Sequence, residues 1–158
     1  MRDFQKSLFF ESQYKISQGK RFYSQRGIQR YVDSFISSRW WKNRFLVNHV
    51  EVYVIKDRRA VHAYCICNSI AEGSIHLPMD MWRELIVLHE LAHLVTPEYV
   101  ADHGSNFCMY FLELIKKKMG RHYRNKLKSE FIKNNVKFTR TDANLELDNS
   151  ELNLLDLI

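Results

Sequence analysis

Residues 85–107 constrain this chain more than any other stretch. They contain His89-Glu90-Leu91-Ala92-His93 and, after nine further residues, His103-Gly104-Ser105-Asn106-Phe107. On an α-helix, positions i and i+4 lie on one face. His89 and His93 can therefore hold one metal ion between them. Glu90 lies one residue on, beside the place where water meets such an ion. The His-Glu-x-x-His pattern is the helical signature of a zinc hydrolase.

A hydrolytic zinc site takes three protein ligands and leaves one position open. His103 is the leading candidate for the third ligand. Pro97 ends the motif helix, Gly104 lets the backbone turn tightly, and Phe107 anchors the next helix in the core. Glu98 and Asp102 are weaker candidates. Glu90 is the expected general base, because zinc brings the pKa of its water to about 7. Tyr99, His62, Tyr64 and His76 are candidates for stabilising the oxyanion.

The flanking sequence predicts mixed α and β structure. Residues 1–20 give no clear element. Ile28, Tyr31, Val32, Phe35 and Ile36 recur at helical spacing, and Trp40, Trp41, Phe45 and Leu46 form an aromatic patch suited to the core. Residues 50–55 alternate as a strand, residues 60–67 form a second, and a charged turn joins them as a hairpin. Residues 74–77 read as a third strand, ended by Pro78. The motif helix is expected to start near Pro78 or Asp80. Two helices follow, one opening at Gly104 or Ser105, the other carrying Tyr123, Leu127 and Phe131. Gly120 is the expected C-terminal cap between them. His49 and His122 read as surface residues.

Charge is unevenly distributed. In residues 139–158, Arg140 faces five acids, a balance of −4, while the rest of the chain carries +10. Residues 116–140 hold ten Lys or Arg and one acid, Glu130. Such a segment can attract nucleic acid or can simply be a solvated helix face. The three cysteines form no C-x-x-C pair, so small core residues in a reducing, cytoplasmic setting are expected. No stretch approaches the roughly 18 apolar residues of a membrane span. Residues 1–138 read as a single domain, and residues 139–158 as an acidic, Leu-rich tail.

These motifs resemble the SprT-like zincin metallopeptidases, which share H-E-L-x-H followed by H-G-x-x-F. They are more closely similar to a family of small metallohydrolases of actinobacteria and their phages. The shared features are Arg2-Asp3-Phe4-Gln5, Tyr31-Val32-Asp33, Trp40-Trp41, Ile75-His76-Leu77-Pro78, and both histidine motifs. The resemblance covers residues 1–138. It implies a minimal zincin-like α+β fold, with a small, mostly antiparallel sheet packed on helices that include the motif helix. It also implies Zn2+ on His89, His93 and His103, Glu90 as base, and a bacterial or phage-infected cytoplasm. Residues 74–77 become an edge strand that binds an extended peptide. Many SprT-like proteins carry a cysteine zinc ribbon or a DNA-binding extension, and neither is expected within residues 1–158.

The expected function is zinc-dependent hydrolysis of an amide bond in a peptide or protein. The alternative is a non-catalytic, zinc-stabilised protein that binds nucleic acid or a protein partner through its basic helices.

Overall fold

The computed structural model describes residues 2–97 and 102–138. Among these residues the fold is α+β, with six helices and a three-stranded sheet. The helices are α1 (Arg2–Tyr14), α2 (Gln25–Ile36), α3 (Arg39–Lys42), α4 (Glu84–Val95), α5 (Ser105–Lys118) and α6 (Arg121–Lys133). The strands are β1 (His49–Ile55), β2 (Tyr64–Cys67) and β3 (Glu72–Pro78). One apolar core joins all of these layers, from Phe9 of α1 to Phe131 of α6. No helix among the described residues is long and apolar enough to cross a membrane.

The periodic segments fold as their patterns dictate. All five apolar positions of α2 are buried. Ser24 caps its first turn by accepting the Gly27 N–H, which satisfies one of the donors a helix start leaves open. Trp41 is fully buried and donates from Nε1 to the Val47 carbonyl at 2.6 Å. Trp40 and Phe45 pack against the same core, whereas Leu46 is exposed. Gly120 precedes α6 at φ +105°, a left-handed conformation that favours glycine.

The sheet departs from expectation in three ways. Its order is β1-β3-β2, so β1 and β2 form no hairpin. Residues 56–63 instead carry the chain past β3 to the opposite edge, a distance of about 10 Å at the usual strand spacing. That crossing is why residues 60–63 are not strand. The sheet is also mixed rather than mostly antiparallel: β1 pairs parallel with β3 over seven positions, and β2 pairs antiparallel over four. Finally, β3 is central. Residues 74–77 have both edges occupied and cannot take up a peptide strand.

The two outer edges differ. At β1, Gln25 and Gln29 of α2 donate to the Val52 and Val50 carbonyls, 2.7 and 2.8 Å, and Gln29 Oε1 accepts the Val52 N–H at 2.8 Å. These side chains stand where another strand would pair, which protects an edge from association. At β2, half-buried Cys65 and exposed Cys67 are not the core residues expected, whereas Cys108 is buried. A four-residue edge strand covered by α4 on one face has little interior to offer.

The motif helix begins later than expected. A 3₁₀ turn, Met79–Met81, follows Pro78, and α4 starts at Glu84 without a side-chain cap. Its first amides are satisfied from a distant segment, Glu84 N–H by the Lys20 carbonyl and Leu85 N–H by Gln18, both at 3.0 Å. Glu84 Oε1 accepts the Tyr31 hydroxyl at 2.7 Å, which ties α2 to α4. At the other end, Gly73 lets β3 approach α4 closely, since a Cβ there would stand 2.6 Å from Leu94 Cδ2.

Candidate metal centre

Helix α4 presents His89 and His93 on one face, and the loop before α5 returns His103 to them. The three Nε2 atoms lie 3.2 Å (His89–His93), 3.2 Å (His93–His103) and 3.1 Å (His89–His103) apart. Tetrahedral zinc with Zn–N bonds of about 2.0–2.1 Å places its ligand nitrogens about 3.3 Å apart. The set therefore fits one ion of that size.

The ring chemistry supports the fit. His89 Nδ1–H donates to Gln13 Oε1 at 2.8 Å in a buried bond, which leaves the Nε2 lone pair facing the other two rings. Burial holds His89 well below the usual imidazole range, with His93 and His103 adding to the effect. Burial likewise takes His93 down to about 4, against the pull of Asp102, and His103 down to about 3. All three are neutral near pH 7, as ligands must be. Three neutral nitrogens this close could hold one metal ion between them.

Aromatic rings fix the histidines in place. Phe10 stacks on His89 with centroids 5.8 Å apart, Phe107 lies 4.3 Å from His93, and Phe9 lies 5.0 Å from His103. Phe107 is fully buried, as its anchoring role requires. The tight turn falls on His103 itself, at φ +52°, while Gly104 has an ordinary φ of −72°. A non-glycine residue in that region stores strain. Gln5 Nε2 and Cys108 Sγ both donate to the His103 carbonyl, at 3.1 and 3.6 Å, and hold the turn.

Glu90 is buried on the wall of a cavity of about 550 Å3 that contains all three histidines. Burial raises its carboxyl to about 8, and a cation among the histidines would bring it back down. Asp102 is exposed, and its Oδ1 stands 3.9 Å behind His93 Nδ1. It faces the back of a ligand ring and is not part of the set. Glu98 and Tyr99 lie outside the described residues.

Among the oxyanion candidates, His62 and Tyr64 line the cavity. The Tyr64 ring, however, stacks on His76 at 4.5 Å, and His76 stacks on Tyr53 at 5.0 Å. That row crosses the sheet, and His76 does not line the cavity. Cys65 lines it from β2, its thiol pushed up to about 12 by burial and by nearby Glu90.

Gln13 and Lys6 are site residues that sequence reasoning missed. Lys6 lines the cavity, and its charge acts on His93 and His103. Both residues come from α1, roughly eighty residues before the motif, and no local pattern links them to it. No family model, curated protein or solved structure matches the chain.

Proposed function

We propose that this chain is a zinc-dependent peptidase of the SprT-like zincin type. The observation that carries the reading is the convergence of three histidine Nε2 atoms within 3.2 Å beside a buried glutamate in an open cavity. A purely structural zinc site is closed by four ligands, and a base at its side would have no task. His89, His93 and His103 hold the ion. Bound there, zinc supplies Lewis acidity, making water a nucleophile near neutral pH and polarising a carbonyl.

Glu90 takes a proton from water in the cleft and delivers it to the departing amine. Lys6 and His62, which line the cavity, are our candidates for offsetting charge on the attacked carbonyl. The outer edge of β2, unpaired among the described residues, has Tyr64 and Cys65 bordering the cavity and offers backbone groups to an extended peptide. It takes the role that the buried position of β3 rules out.

The test is zinc content and hydrolysis of a peptide mixture, measured on the same preparation. The unsubstituted protein should hold about one zinc and cleave. Glu90→Gln should keep the zinc and lose cleavage, and His89→Ala should lose both. Protein without zinc, with His89→Ala unchanged in every assay, ends the proposal. Lys6→Met and His62→Ala separate the two oxyanion candidates: the one in that role lowers kcat by about 10²–10³.

The basic helices favour the nucleic-acid alternative less than their charge suggests. Lys118 lies 4.3 Å over the Tyr31 ring, Lys117 5.8 Å over Trp40, and Lys128 5.7 Å over Phe138. Those lysines cover aromatic surface and are partly engaged in packing.

A further inference from the structure

The cleft extends beyond the histidines. A second cavity of about 690 Å3 opens beside the first, and Cys67, Thr96 and Pro97 line both. The two adjoin at these residues, beside β2 and the turn after it, and they differ in character. Lys6, Glu90 and Asp102 stand near the histidines, while Leu46, Ile70, Leu94 and Tyr110 line the far end. Leu46 is 68% exposed and Ile70 is 76% exposed. Ile70 sits between β2 and β3, a place where polar turn residues are the rule. Arg44 is the one charged residue in that far wall among those described. Its guanidinium lies 4.5 Å over the Trp40 ring and donates to the Trp40 carbonyl.

We infer that this second cavity is a side-chain subsite that selects peptides by a bulky apolar residue close to the bond cut. The inference rests on the peptidase reading. Adjacency along β2 identifies the occupant. β2 runs from Tyr64 at the histidine cavity to Cys67 at the shared rim. A peptide extended along its open edge advances about 3.3 Å per residue. About one to three residues therefore separate the attacked carbonyl from a side chain lying between Leu46 and Ile70. An apolar side chain gains by burial there, whereas a basic one loses water and meets only the like charge of Arg44. The volume exceeds one side chain and lies in the range of ligand sites, so aromatic and branched aliphatic residues both fit.

The test uses the zinc-loaded full chain and short peptide hydroxamates, which anchor on the metal without being cut. Each compound carries Leu at one of three successive positions, with Ala at the others, and an all-Ala compound serves as reference. At one position, Leu should improve affinity over Ala by about 10–200-fold. Leu46→Asp and Ile70→Asp are exposed changes that the fold tolerates. Each should remove the preference, so that the Leu and all-Ala compounds bind within about twofold of one another. No preference at any position, or one that survives both substitutions, overturns the subsite.

If the preference appears but no peptide is cleaved, the peptide-binding groove stands and the peptidase reading falls. If no hydroxamate binds in a zinc-dependent way, both fall. A rise in all-Ala affinity in Leu154→Asp/Leu155→Asp would assign the groove to the chain's own tail. A dimer in sedimentation that Ile70→Asp dissolves would assign it to a second copy. Either result overturns the proposal.

Discussion

At the residue scale the candidate centre depends on side chains outside the three-histidine set. Gln13 is almost fully buried, and its oxygen accepts from His89 Nδ1. That bond fixes both tautomer and ring orientation, a contribution usually worth 10–100-fold in metal affinity. Gln13→Ala should weaken zinc binding by about that factor in chelator competition, whereas Gln13→Glu, which still accepts, should restore most of it. Equal loss in both variants would mean that Gln13 only fills space.

Protonation of the metal-free protein follows from the same burial. In the folded chain the three histidines titrate below their ordinary 6.5, so an unfolding chain takes up protons under acid conditions. Their contribution to stability is present above pH 6.5 and lost as pH falls through the folded values. Glu90 has the opposite sign: raised from 4.5 to about 8, its contribution is present below pH 4.5 and lost as pH rises through about 8. Between 4.5 and 6.5 three histidines outweigh one carboxyl, and above 6.5 Glu90 acts without them. The urea midpoint of metal-stripped protein should therefore peak near pH 6.5. Glu90→Gln should abolish the fall above that pH and keep the rise below it. A midpoint in the unsubstituted protein that climbs steadily to pH 8 contradicts this assignment.

At the scale of the elements, the sheet edges decide where a peptide can dock. Gln29 satisfies both the Val50 carbonyl and the Val52 N–H at β1. Gln29→Ala leaves both backbone groups without their side-chain partner, at a cost of about 1–3 kcal/mol in unfolding free energy. It also uncovers a pairing edge, so concentration-dependent association should appear in light scattering. Gln25→Ala removes one bond and should do less of both. Helices α2, α5 and α6 were legible in the sequence because their apolar residues repeat at helical spacing. The histidine set was legible because its spacing is local.

Helix α1 was not, since its buried positions among the described side chains are Phe9, Ser12 and Gln13, and two of those three are polar. Ser12 is held by bonds to Leu8, Glu130 and Asn134, and Gln13 by the bond to His89. Their burial follows from distant partners that no local window contains. Strand order escaped for the same reason. Three apolar runs show that strands exist, but only the crossing at residues 56–63 decides which of them becomes the edge.

Across the whole molecule, α1 links the metal centre to the far helices. Gln5 Nε2 donates to the His103 carbonyl at 3.1 Å and contacts the Lys137 carbonyl at 3.4 Å. Phe9 touches His89 and His103 on one side and Phe131 of α6 on the other. Zinc binding to the folded state alone stabilises it by about 2.7 kcal/mol at a hundredfold excess over Kd. Because α1 holds the His89 ring and the His103 carbonyl, that stabilisation should reach well beyond the two segments that carry the three histidines. Hydrogen exchange with and without zinc should therefore show added protection in α1 and at residues 134–138 as well as in α4 and residues 102–108. Phe9→Ala should cost about 3–5 kcal/mol of stability and reduce the zinc-dependent protection of α6 more than that of α4. Protection confined to α4 and the His103 loop would show that the metal centre forms without α1, and that Gln5, Phe9 and Gln13 serve the core alone.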